Sequence, residues 1–66
     1  MSDYEFDRVL LHLREGTHRV YVIRDARLGN YRVELWLNGE HIKKEDYVTQ
    51  SKAAAIAKAE ILHEGL

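Results

Sequence analysis

Tyr31-Arg32-Val33-Glu34-Leu35-Trp36-Leu37-Asn38-Gly39-Glu40-His41-Ile42 is the stretch on which the reading of this chain turns. Apolar and polar residues alternate along it, which places Tyr31, Val33, Leu35 and Leu37 on one face of a strand and Arg32, Glu34 and Trp36 on the other. Asn38-Gly39 then supplies two residues that tolerate positive φ, the strongest short-range signal for a tight hairpin. The single tryptophan therefore falls on the register that faces away from the core, and a contact surface is the expectation drawn from it.

Upstream, Arg19-Val20-Tyr21-Val22-Ile23-Arg24 is rich in β-formers and reads as the strand before it. Asp25 to Asn30 reads as the connecting loop, with Gly29-Asn30 as its turn signal. Downstream, a third strand starts at Glu40 and runs irregularly towards Val48. Its polar Lys43-Lys44-Glu45-Asp46 stretch suits an edge strand or a bulge better than a central position.

The two ends of the chain read as helices. Ser2 and Glu5 have capping-box spacing, and Asp3, Glu5 and Asp7 crowd the start, where the helix dipole favours anions. Phe6, Val9, Leu10 and Leu13 follow i, i+3, i+4, i+7 spacing, His12 and Arg14 fall near the end, and Gly16 suits the C′ position. A helix from about Asp3 to about Glu15 is the preferred reading. The rival is a strand through Val9–Leu13 turning at Glu15-Gly16-Thr17. At the other end, Lys52 to Leu62 has high helix propensity, with Thr49 or Ser51 as N-cap. Ala55, Ile56, Ala59 and Leu62 make one stripe, extended by Leu66, and Gly65 can stop the helix. The expected fold is α+β: one domain over residues 1–66, in the order α-β-β-β-α, with a three-stranded antiparallel sheet and both helices packed on one face.

Composition narrows the functional classes. Sixty-six residues suffice for one modest core. With no cysteine there is neither a disulfide framework nor a thiolate metal site, and a reducing, cytoplasmic setting is the expectation. The acidic start lacks the apolar region of a signal peptide, and no apolar run reaches membrane-spanning length. A net charge of −1 gives no general pull towards nucleic acid. His12, His18, His41 and His63 have no zinc-ligand spacing. Glu45-Asp46, or Glu34 with Glu40, are carboxylates without a shaped pocket around them, and there is no phosphate-binding glycine loop or nucleophile motif. Neither enzyme, metal site nor cofactor is expected. Arg24, Arg27, Arg32, Lys43, Lys44 and Lys52 are interspersed with acids, so a mixed solvated surface is the plainer reading of that basic strip.

What remains is the sheet face carrying Arg19, Tyr21, Ile23, Arg32, Glu34 and Trp36, with His41, Lys43 and Tyr47 alongside. Tryptophan, tyrosine and arginine dominate protein-interface hot spots, and an aromatic-basic sheet face can also stack bases. The plain alternatives are that Trp36 simply covers the sheet or pairs with Tyr21, or that a homodimer buries the face. Trp36, Tyr21, Arg19, Arg32 and Lys43 are the candidate contact residues for a protein partner, host complex or self. A nucleic-acid-binding module is the alternative.

Several resemblances run alongside this reading. The stretch from Tyr31-Arg32 through Ser51-Lys52-Ala53-Ala54 resembles small βββα domains. One is the double-stranded RNA-binding domain, whose last helix opens with a Ser-Lys-Lys pattern and a further lysine that grip phosphates. Ser51 and Lys52 match that pattern, while Ala53 and Ile56 depart from it. The chain is also similar to the short bacterial YegP-like repeat in Tyr31-Arg32, Asn38-Gly39-Glu40 and Ser51 to Ala54, which implies a fold rather than an activity. The three-stranded amino-terminal module of phage integrases, which also ends in a helix, is a third. By type, the chain looks like the small phage or mobile-element inhibitors of host machines, anti-CRISPR proteins and RNA-polymerase inhibitors among them. That resemblance implies a compact binder without chemistry of its own.

Overall fold

The computed structural model describes residues 8–65. Five strands and one helix follow in the order β1 (Arg8–Glu15), β2 (His18–Asp25), β3 (Asn30–Leu37), β4 (Glu40–His41), β5 (Tyr47–Thr49) and α1 (Lys52–Glu64), with a 3-10 turn at Lys43–Glu45 between β4 and β5. All pairings are antiparallel: β1 on β2, β2 on β3, and both β4 and β5 on β3.

This overturns the expected α-β-β-β-α order. Arg8–Glu15 is a strand, not the second half of a helix, and one helix, not two, packs on the sheet among the described residues. The capping box at Ser2 and Glu5 lies outside the described residues. The register of β1 shows why the spacing misleads. Val9 pairs with Ile23 but Leu11 pairs with Val22, so Leu10 is an extra residue inserted as a β-bulge. One inserted residue breaks the two-residue period and leaves Val9, Leu10 and Leu13 at helical spacing. Removing the bulge restores an alternation, with Leu11 and Leu13 turned to the core and His12 and Arg14 turned away. A helix so short would depend on tertiary packing for its stability, and the neighbouring β2 offers a full row of backbone partners instead.

Two tight turns set the registers. Gly16 (φ +64) and Thr17 join β1 to β2, the positive φ falling on the first central position, where a type II′ turn takes glycine. Asn38 (φ 54) and Gly39 (φ 80) are both left-handed, as a type I′ turn requires, so the expected hairpin is present. The amide of Asn38 donates to the Thr17 carbonyl at 3.0 Å, tying the two turns together at one end of the sheet. The β2–β3 loop is held by Asp25, whose Oδ1 accepts from the amides of Arg27 and Leu28, both at 2.9 Å. Those amide bonds, Leu28's foremost, outweigh desolvation and together with Arg32 and Arg27 hold the Asp25 carboxyl below its ordinary value.

The expected irregular third strand divides. Glu40–His41 continues the hairpin on Leu37 and Trp36. The Ile42 amide donates to the Leu35 carbonyl at 2.9 Å, the chain makes its 3-10 turn, and Tyr47–Thr49 rejoins β3 opposite Val33, Arg32 and Tyr31.

The core lies between α1 and one face of the sheet. Val20, Val22, Val33, Leu35, Ala55 and Ala59 are buried there, ringed by Leu11, Leu13, Tyr31, Leu37, Ile42 and Leu62. Two fully buried alanines let the helix backbone sit close on the valines of β2 and β3, so the contact holds little slack. Ser51 is the N-cap: its Oγ accepts from the Ala54 amide at 3.1 Å. Of the expected stripe, Ala55, Ala59 and Leu62 face the core, whereas Ile56 is half-buried outside the central cluster; Leu66 lies outside the described residues. Among the described residues no helix is long and apolar enough to cross a membrane.

Candidate binding face

Placing α1 on one side leaves the opposite side of the sheet without a described helix over it. The strand registers order its side chains into three rows. At the end away from the tight turns, Val9, Ile23, Arg32 and Val48 lie side by side across β1, β2, β3 and β5. His12, Tyr21 and Glu34 form the middle row. Arg14, Arg19, Trp36 and His41 form the row beside the two turns. Together these rows make up one face of the sheet. An open groove of about 780 Å³ runs along it, reaching from Val9 and Ile23 past Tyr21 and Trp36 to Arg14 and Arg19.

The aromatic rings form a chain across the strands. His12 stacks on Tyr21 (4.5 Å between centroids, 12° between planes), Tyr21 meets Trp36 edge to face (6.5 Å, 85°), and Trp36 stacks on His41 (5.0 Å, 9°). One face of each large ring is thus already covered by a histidine. His41 is itself held: its Nε2 lies 2.7 Å from Oδ1 of Asp46, just after the 3-10 turn.

Glu34 organises the centre. Its Oε1 accepts from the Trp36 indole Nε1–H at 3.0 Å and its Oε2 from Arg32 Nε at 2.7 Å. Arg32 also reaches Asp25 Oδ2 at 3.6 Å, joining β2 to β3. Partial burial works against ionisation of Glu34, but the donors from Trp36 and Arg32 outweigh it and hold its carboxyl below the ordinary 4.5. Trp36 is therefore fixed by a charge-assisted hydrogen bond as well as by stacking, which lowers the entropy it would lose on contact with a ligand.

Of the candidate contact residues, Arg19, Tyr21 and Trp36 line the groove. Arg32 lies on the same face but is engaged with Glu34 and Asp25. Lys43 stands in the 3-10 turn, exposed, and does not line the groove. Sequence reasoning missed His12 and Arg14, because a helix was assigned over them. Their positions at even spacing just before the Glu15-Gly16-Thr17 turn were the signal that would have found them. Among the described residues, no group of three or more histidines and carboxylates converges as a metal set.

No family model, no curated protein and no solved structure matches the chain. The strand at Arg8–Glu15 also departs from the leading helix that the double-stranded RNA-binding resemblance implied.

Proposed function

We propose that this chain is a non-enzymatic binding module that takes a protein partner on the face of the sheet opposite α1, acting as an inhibitor or regulator of a larger complex. The observation that carries this reading is the gathering of Trp36, Tyr21 and Arg19 in one groove, with Trp36 pre-set by Glu34. These are the side-chain types that dominate interface hot spots, and rigid, pre-oriented anchors lose little entropy on binding. Two features favour a protein over a nucleic acid. A histidine already covers one face of each large ring, leaving less π-surface for bases. The carboxylate of Glu34 takes up the Arg32 guanidinium in the middle of the face, so that arginine is already committed and less able to grip a phosphate backbone.

The test is affinity capture from cell extract with three forms of the full chain: wild type, Trp36→Ala, and Ile61→Ser, an exposed position on α1. A defined protein retained by the wild type and by Ile61→Ser, but lost with Trp36→Ala while the far-UV circular dichroism is unchanged, is the expected result. Capture that depends on nuclease-sensitive material and falls steeply with salt would replace the protein partner by a nucleic acid. Unfolding of Trp36→Ala would make Trp36 a structural residue, and capture by Trp36→Phe would then decide whether the face binds.

A further inference from the structure

Arg14 and Arg19 are directly opposed across β1 and β2, on the groove side of the sheet. Both are exposed. Among the described residues no carboxylate lies within ion-pair distance of either; the carboxylates of this sheet instead contact Arg32, His41 and His63. Like charges directly opposed across an antiparallel pair are destabilising, with Cβ atoms only about 5 Å apart. A small domain with a modest core has little stability to spare for such a pair. The pair is also well supplied with neighbours that suit a ligand: Trp36 lies opposite Arg19 on the other side, and Thr17 and Asn38 close that end of the groove.

The other end has the opposite chemistry. Val9 and Val48 are 54% and 57% exposed at the two edges of the same row, with Ile23, which is only 9% exposed, and the ion-paired Arg32 between them; of these Val9 and Ile23 line the groove. From Arg19 to Ile23 is four residues along β2, or about 13 Å at the rise of a strand. Such a groove therefore offers two guanidinium groups at one end, aromatic edges in the middle and apolar side chains at the other.

We infer that the groove is built for an extended, acidic peptide segment of the partner protein, its carboxylates held by Arg14 and Arg19 and its apolar side chains, about four residues away, seated against the exposed Val9 at the far end. This rests on the protein-binding reading above and names the chemistry of the partner. Guanidinium groups bind carboxylates through short, charge-assisted hydrogen bonds, and a carboxylate placed between the two arginines removes their mutual repulsion. The binding of the acid thus relieves a strain that the free protein carries. A nucleic acid would also meet the two arginines, but it would bring no apolar side chains for the far end.

The test uses the full chain and three probes: an end-blocked hexapeptide with aspartate at its first two positions and leucine and valine at its last two, the same peptide with asparagine in place of both aspartates, and a single-stranded oligothymidylate. Trp36 fluorescence reports binding, and the arginine Nε–H signals in NMR report which guanidinium groups respond. Saturable binding of the acidic peptide is expected, with about tenfold or greater loss for the asparagine peptide and for Arg19→Glu. Arg14→Glu is expected to do two things at once: abolish acidic-peptide binding, and raise Tm by about 2–4 °C by turning a repulsive cross-strand pair into an attractive one. Equal binding of the two peptides, no binding of either, or a preference for oligothymidylate overturns the inference, as does a fall in Tm for Arg14→Glu. Partner capture that is lost with Trp36→Ala but kept with Arg14→Glu and Arg19→Glu sinks the acidic segment and leaves the protein-binding reading standing. Capture that does not depend on Trp36 removes the reading beneath it.

Discussion

The Trp36 indole donates its Nε1–H to Glu34 Oε1 at 3.0 Å, two residues back on the same face of β3. The other oxygen of that carboxylate accepts from Arg32 Nε at 2.7 Å, so three successive outward positions of one strand hold one another in place. Local alternation alone creates this triad: residues at i, i+2 and i+4 of a strand share a face. The result is a tryptophan aimed into the groove by its own strand.

Replacing Glu34 with glutamine keeps an acceptor for the indole but removes the charge that Arg32 pairs with. Glu34→Gln should destabilise the fold by about 1 kcal/mol, a hydrogen-bonded and partly solvated ion pair contributing in that range. It should also shift the Trp36 indole N–H resonance. An unchanged denaturation midpoint together with an unmoved indole signal would show that the triad contributes nothing.

The same group makes stability depend on pH. The folded-state carboxyl of Glu34 lies below its ordinary 4.5, so the folded state holds its proton less tightly than the unfolded chain. The stabilisation is complete above about pH 4.5 and is lost as pH falls through the lowered folded value. Asp25, also lowered from its ordinary 3.8, adds to the loss in the same direction. Tm measured from pH 6 down to pH 3 should therefore fall, and fall less steeply in Glu34→Gln. Parallel curves for the two proteins would contradict this.

Ala59 is fully buried against the sheet. Ala59→Leu forces extra methylene groups into a contact with no slack and should cost about 1–3 kcal/mol. Ala57→Leu, on the exposed side of the same helix, should change stability by no more than about 0.5 kcal/mol. Urea denaturation of the two variants separates close packing from helix propensity, which disfavours both substitutions slightly and almost equally.

Gly39 sits at φ +80 with open space where a Cβ would project. Its substitution is thus a test of backbone conformation free of any clash. Gly39→Ala should lower stability by about 1 kcal/mol, whereas chemical synthesis with D-alanine at that position should leave it unchanged or raised. Equal effects of the two enantiomers would mean that the type I′ turn does not hold the register of β3 and β4.

Much of this fold was legible in the residues. The alternation of Tyr31–Leu37 placed Trp36 and Glu34 on one face and Val33 and Leu35 on the other, because a strand allows its side chains only two directions. Asn38-Gly39 announced the hairpin because few residues accept two consecutive positive φ values. Ser51 and the alanines after it announced α1, since a cap and high propensity are local properties. What only the tertiary structure decided was the state of Arg8–Glu15. With the bulge at Leu10 its apolar residues satisfy helical spacing and interrupted strand spacing alike, and the choice between them rests on β2, which offers backbone partners and a place for Leu11 and Leu13 against the core. The binding face followed from that choice: Arg14 meets Arg19, and His12 meets Tyr21, only once β1 lies beside β2, and contacts between strands are not written in either strand alone.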